Sequence, residues 1–173
     1  MPIRVRVGAV VVHEGRILLV NHRRMGRSYW VFPGGALEGG ESLAACASRE
    51  VREETGLEVF PERLLYLVEL FPPGDGGRHS VDVLFLAHLS GAEKAPRAVA
   101  GWAIERPELV PLQDLPALAL LPPIAGEILA DAASGFSNPP RHLTNRWVAP
   151  SAAPAPRAPA EGTPRLSAGR GQP

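Results

Sequence analysis

The sequence predicts an α+β fold in which a mixed β-sheet is packed between helices. Three observations predict it. Short apolar runs, alternating or continuous, fill the first third of the chain, as strands do on entering a core. One segment, Ser42 to Thr55, switches to a helical stripe. Further strand-like runs follow, and a second helical segment comes only after Pro122-Pro123. Strands, a helix, more strands and a late helix are the order of an α/β/α sandwich. No internal repeat is visible.

Taken in order, Arg4 to Val12 ("RVRVGAVVV") begins with period-two alternation and becomes continuously apolar. Glu14-Gly15 predicts a turn, and Arg16 to Asn21 ("RILLVN") its hairpin partner. Met25 to Arg27 reads as a basic loop. Tyr29 to Phe32 ("YWVF") is a short strand that Pro33-Gly34-Gly35 should stop. Ser42 is the expected N-cap of the first helix and Gly56 its C-cap. On that helix Leu43, Ala44, Ala47 and Val51 form the stripe expected to face the core, with Cys46 a small buried residue beside it. Leu64 to Phe71 and Ser80 to Leu86 predict two strands, joined by the Pro/Gly-rich "PPGDGGRH". Ala100 to Ile104 is a further candidate strand, and Pro122-Pro123 opens a helix to about Ala133. The organisation expected is a domain over residues 1–135, an uncertain extension over 136–148, and a Pro/Ala-rich tail over 149–173 with little to bury.

The 173 residues carry 18 basic and 18 acidic side chains, which offers no attraction to nucleic acid or an anionic membrane. Cys46 is the sole cysteine, so neither an internal disulfide nor a cysteine-ligated zinc is expected. No apolar run is long enough to span a membrane, and the N-terminal stretch does not read as a signal peptide, so a cytoplasmic setting is expected.

The stretch Arg49 to Thr55, "REVREET", is locally unfavourable. It sets Glu50, Glu53 and Glu54 on one arc of a helix, where like charges repel, and at the helix end where the macrodipole disfavours them. A divalent cation among the carboxylates would reverse that balance. Oxygen-only donors suggest a hard ion, Mg²⁺ or Mn²⁺, and Mg²⁺ commonly completes its shell with water and phosphate oxygens. Such an ion can lower the pKa of a bound water and neutralise phosphoryl charge, with a nearby glutamate taking the proton.

Read from Gly35 to Leu57, "GALEGGESLAACASREVREETGL" has Gly35, five residues, Glu41, seven residues, Arg49-Glu50, apolar Val51, any residue, Glu53-Glu54, any residue, Gly56 and apolar Leu57. This resembles the signature of the Nudix hydrolases at every specified position, and the preceding "FPGG" is similar to that family's run-in. The resemblance implies a Nudix-type α/β/α sandwich carrying a loop–helix–loop. It implies divalent-ion binding by Glu50, Glu53 and Glu54 with the carbonyl of Gly35. It implies attack of water on phosphorus in a nucleoside diphosphate linked to another moiety. Glu50 or Glu53 is then the expected general base. Arg49 should orient the carboxylates, and Glu41 should anchor the loop. A nucleotide is the expected partner; the oligomeric state is open, a homodimer included.

Candidate substrate contacts are Arg23 for phosphate, Tyr29 or Trp30 for a base, and Asp82, which is unusual on an apolar strand. Arg24 and Arg27 are further basic candidates, and Glu93, Glu105 and Glu108 are candidates for a distant base. Trp102 and Trp147 read as packing residues. Pro72 and Pro73 stand at a spacing similar to that of ADP-ribose and nucleotide-sugar pyrophosphatases of the family. The lack of a long N-terminal strand region leaves room for a nucleoside triphosphate, oxidised ones included. The alternative is a Nudix-fold sensor that binds nucleotide without cleaving it.

Overall fold

The computed structural model describes residues 3–24, 26–71, 79–90, 95–99 and 104–146, with backbone alone at 24, 104, 105, 145 and 146. The first hairpin consists of β1 (Arg4–His13) and β2 (Arg16–Arg24). They are joined at Glu14 and Gly15, both at positive φ, 47° and 72°. Then come β3 (Arg27–Val31), β4 (Gly34–Ala36), helix α1 (Leu43–Thr55), β5 (Val59–Phe71) and β6 (Ser80–Leu89). The chain continues through β7 (Ile104–Pro111), a 3₁₀ turn (Leu112–Ala117), β8 (Leu120–Leu121), helix α2 (Ala125–Ala133) and β9 (Arg141–Arg146).

Strand order along the sheet is β8-β3-β2-β1-β6-β5-β9, with β4 also on β1 and β7 also on β2. The sheet is mixed: β1 runs parallel to β6, β3 to β8 and β5 to β9, while the other pairs are antiparallel. The β1–β2 hairpin pairs only at Val12↔Ile17 and His13↔Arg16. Beyond it β1 leaves its partner and pairs with β6 from Arg4↔Ser80 to Val11↔Ala87. The continuous apolar run in β1 follows from burial on both faces. Val10 joins the cluster with Phe32, Tyr66, Leu84, Ile124 and Ile128 beneath α2. Ala9 and Val11 join Val51, and Val7 joins Cys46 and Ala47, beneath α1. The architecture is the helix–sheet–helix sandwich expected from the element order.

The α1 caps are as read. Ser42 Oγ accepts from the Ala45 amide, and Gly56, at φ 69°, donates its amide to the Arg52 carbonyl. The stripe differs at its start: Cys46, Ala47, Val51 and Thr55 are buried, whereas Leu43 is 38% exposed. Leu43 is one turn before Ala47, so the first turn of α1 overruns the surface it packs on. β5 starts at Val59, five residues earlier than read, and takes in Pro61. Its ladder to β6 shifts between Pro61 and Arg63, and such an irregularity tolerates a residue with no amide hydrogen. Pro33-Gly34-Gly35 does not end the sheet; Gly34–Ala36 pairs with β1 through Gly8↔Gly34 to Arg6↔Ala36. Of the strand read at Ala100 to Ile104, residues 100–103 lie outside the described residues; a strand runs from Ile104 to Pro111 and carries Glu105 and Glu108. Within 136–148, residues Arg141–Arg146 extend the sheet beside β5. Met25, Pro72, Pro73, Glu93, Trp102, Trp147 and residues 149–173 lie outside the described residues. Among the described residues no helix is long and apolar enough to cross a membrane.

Candidate functional site

Three local devices place the side chains of the Gly35–Leu57 signature (the box). The αL cap at Gly56 ends α1 just past Glu54. Glycine at position 35 lets the Glu50 carboxylate lie against the chain: a Cβ there would sit 2.2 Å from Glu50 Oε1. The Gly34 amide, 2.8 Å from Glu54 Oε2, donates to that carboxylate.

Arg49 gathers the other acids. Its Nε and Nη2 donate to Glu41 at 3.1 and 2.7 Å, and Nη1 donates to Glu50 at 2.8 Å and Glu53 at 3.3 Å. Nη2 also reaches the Ala36 carbonyl at 3.3 Å. Paired forks of this kind are the stronger class of charge-assisted hydrogen bond. The Arg49 bond, with the Glu38 amide, holds the Glu41 carboxyl down at about 2, and the Arg49 guanidinium is raised further by Glu41 and then Glu50. Glu41 thus closes the loop before α1 onto the helix. Cys46 is buried beside them, and burial followed by Glu41 pushes its thiol up to about 12, so it is inert packing.

Glu54 is the outlier among the acids. Burial raises its carboxyl to about 7 against the pull of Arg6 and the Gly34 amide, and Glu50 and Glu53 add to the rise. Glu50 has 13% of its side chain exposed and Glu53 54%, so Glu53 alone of the three stands open to solvent while Glu50 and Glu54 are part-buried.

Glu50 and Glu54 line one wall of a cavity of about 440 Å³ at the end of the sheet where β1 and β6 begin. Arg4, Arg6, His22, Tyr29, Ser80 and Asp82 face it as well. Tyr29 is stacked on His22, ring centroids 5.6 Å apart, whereas Trp30 is buried in the core. Asp82 is buried on β6, a central strand and not a sheet edge, with Arg6 3.6 Å away; burial raises its carboxyl and Arg6 opposes the rise. Burial and then the Arg6 charge lower the His22 imidazole, which keeps it neutral at physiological pH.

Arg23 is exposed and does not line this cavity, because strand alternation turns it away from the face His22 presents. Arg27 is likewise exposed. Glu108 pairs with Arg106 at 3.0 Å on β7. The residues the sequence reading missed are Arg4, Arg6 and His22. Their one sequence signal is that Arg4 and Arg6 alternate onto the same face of a strand otherwise committed to the core.

Among the described residues no three carboxylate, imidazole or thiol side chains converge as a ready-made metal cage. Glu50 and Glu53 are turned toward Arg49, and Glu54 toward the Gly34 amide. The chemistry of the donors fits a hard divalent cation all the same: carboxylates on one arc, with neither imidazole nor thiolate among them.

The chain matches the family described as NUDIX domain over residues 2–132. It is 36% identical over 69 residues to Phosphatase NudJ of Escherichia coli strain K12, a match covering 40% of this chain; the chain spans 45% of the length of that relative. Among solved structures it is similar to a NUDIX hydrolase from Nitrosomonas europaea, with TM-score 0.65 and 26% identity over 78% of this chain and 90% of that one. It is also similar to a MutT NUDIX hydrolase from Burkholderia pseudomallei, with TM-score 0.53 and 34% identity over 65% of this chain and 86% of that one. The matched span holds the glutamate helix, the cavity and every strand from β1 to β8; the chain belongs to the NUDIX domain family.

Proposed function

We propose that the chain is a divalent-metal-dependent Nudix hydrolase that cleaves a pyrophosphate bond by attack of water on phosphorus. The observation that carries this reading is Glu50 and Glu54 on the wall of a cavity that also presents arginine and aromatic side chains, with Glu53 on the same helix and tied to Glu50 through Arg49. Glu54, Glu50 and Glu53, with the Gly35 carbonyl, are the groups that would hold Mg²⁺ or Mn²⁺. When bound, the ion neutralises phosphoryl charge and makes water a better nucleophile. Glu50 or Glu53 takes the proton of that water, and Arg49 orients both. Arg4 supplies positive charge for phosphate and Tyr29 a ring face for a base. The substrate is a nucleoside diphosphate linked to another moiety: a nucleoside triphosphate, oxidised ones included, or ADP-ribose or a nucleotide sugar.

The test is release of nucleoside monophosphate or phosphate with Mg²⁺ or Mn²⁺ across a panel of these nucleotides. Wild type should cleave at least one class, and Glu53→Gln or Glu54→Gln should lose about 100-fold or more, as for groups acting in the transition state. Equal inertness of wild type and variants on every nucleotide would sink the hydrolase reading and leave a nucleotide sensor, which binds members of the panel and releases nothing.

A further inference from the structure

Arg6 and Asp82 are charged residues nearly closed off from solvent, with 12% and 6% of their side chains exposed. They are direct partners in the parallel β1–β6 ladder, so their side chains leave the same face side by side. At 3.6 Å the pair is an ion pair without a tight hydrogen bond. The short contacts of Arg6 go elsewhere. Nη2 donates to the Phe32 carbonyl at 2.6 Å and to the Gly34 carbonyl at 2.8 Å. One nitrogen, Nη2, therefore serves two carbonyls of one turn while Nη1 faces Asp82, a division that needs the two terminal nitrogens of a guanidinium. The same turn reaches Glu54, because the Gly34 amide donates to its carboxylate.

We infer that Arg6 and Asp82 are positioning residues for Glu54. Asp82 keeps the guanidinium aimed, Arg6 fixes the Phe32–Pro33 and Gly34–Gly35 peptides on either side of the one that carries the Gly34 amide, and that amide thereby sets where the Glu54 carboxylate points. The inference rests on the reading of Glu54 as a metal ligand and deepens it by naming what aims that ligand. The peptide that carries the Gly34 amide is itself held at its other end, where the Ala9 amide donates to the Pro33 carbonyl at 3.0 Å, and Arg6 braces the peptides on both sides of it. Loss of the Arg6 contacts should loosen those flanking peptides, and with them the aim of Glu54, while the Ala9 bond keeps the turn on the sheet. Lysine at position 6 keeps the charge near Glu54 and Asp82 but has one nitrogen where arginine has Nη1 for Asp82 and Nη2 for the carbonyls, which separates positioning from simple electrostatics.

The experiment compares the full-length wild type with Arg6→Lys, Asp82→Asn and Glu54→Gln. It reads melting temperature, the Gly34 amide resonance, Mn²⁺ affinity without nucleotide, and kcat and KM on the best nucleotide of the panel. Arg6→Lys is expected to melt close to wild type and to shift the Gly34 amide. It should bind Mn²⁺ more weakly and lose about 10–100-fold in kcat, the range seen when a partner that orients a metal ligand is removed, with KM little changed. Asp82→Asn should move the same readouts in the same direction by less. A wild-type Gly34 resonance together with wild-type Mn²⁺ affinity in Arg6→Lys overturns the inference. Should Arg6→Lys fail to fold, Asp82→Asn decides, and wild-type values there overturn it. Unchanged Mn²⁺ affinity in Glu54→Gln overturns only the metal reading of Glu54, and the Gly34 resonance still decides whether Arg6 braces the turn.

Discussion

At Glu54 folding imposes a protonation cost that a cation would remove. The carboxyl has an ordinary pKa of 4.5 and is raised to about 7, chiefly by burial. A raised folded pKa means that the fold prefers the protonated form. In metal-free protein this preference is fully present below about 4.5 and is lost as pH rises through about 7. The urea midpoint measured in chelator should therefore fall between about pH 5 and about pH 8, and Glu54→Gln should flatten that slope. An identical slope in the variant would show that Glu54 is not the titrating group. Gly35 gives a steric prediction at the same scale. Gly35→Ala sets a methyl where the Glu50 carboxylate lies, so Glu50 must move. Hydrolysis should fall by about 10-fold or more, since small misplacements at a reacting centre are costly, with the melting temperature changed far less. Glu50, Glu53 and Glu54 were legible in the sequence because repulsion within one helix is a local property. Arg6 was not, because its partners Phe32, Gly34 and Asp82 are 26 to 76 positions away along the chain.

At the scale of elements, β9 and α2 are tied to β5 by a polar cluster centred on the buried Asp131. Tyr66 of β5 donates to Asp131 of α2, Arg141 of β9 donates to the same carboxylate at 2.6 Å, and Asn138 donates at 2.7 Å. Burial alone would raise the Asp131 carboxyl. The bonds from Tyr66 and Asn138 and the charge of Arg141 outweigh it and hold the pKa below the ordinary 3.8. A depressed acid stabilises the fold above its unfolded pKa and loses that contribution as pH falls through the folded value. The cluster should therefore weaken below about pH 4. Asp131→Ala takes the carboxylate away from Arg141, Asn138 and Tyr66, and leaves Tyr66 the longer contact to the Glu127 carbonyl at 3.4 Å. It should cost about 2–4 kcal/mol, read as a lower urea midpoint at neutral pH. A loss within about 0.5 kcal/mol, ordinary for a surface site, would show that the cluster does not latch β9 and α2. The sequence marked α2 by the Pro122-Pro123 pair ahead of it, but β9 ("RHLTNR") carries no apolar alternation, so its place beside β5 rests on backbone pairing and on this cluster.

At the scale of the whole molecule, the cavity stands where the parallel strands β1 and β6 begin and where the run-in turn and α1 meet the sheet. Cation binding there should be linked to folding. At about 100 times its Kd, Mg²⁺ or Mn²⁺ should add about 2.7 kcal/mol of stability, seen as a rise in melting temperature. Glu54→Gln should blunt that rise. No rise with either ion, alone or with nucleotide, would count against the box glutamates as the site of binding.

The sequence by itself determined the helix with its caps, the arc of glutamates, the α+β class and the spacing that marks the family. All of these are set by residues near one another along the chain, through periodicity, capping and local charge. Only the tertiary structure decided what faces those glutamates. The parallel pairing of β1 with β6 brings Arg6 beside Asp82, and β4 returning to β1 sets Gly34 against Glu54. Strand alternation puts His22 and Tyr29 in the cavity and Arg23 outside it. Which strands become neighbours depends on how both faces of the sheet are covered, so these contacts exist only once the sheet has closed around its two helices.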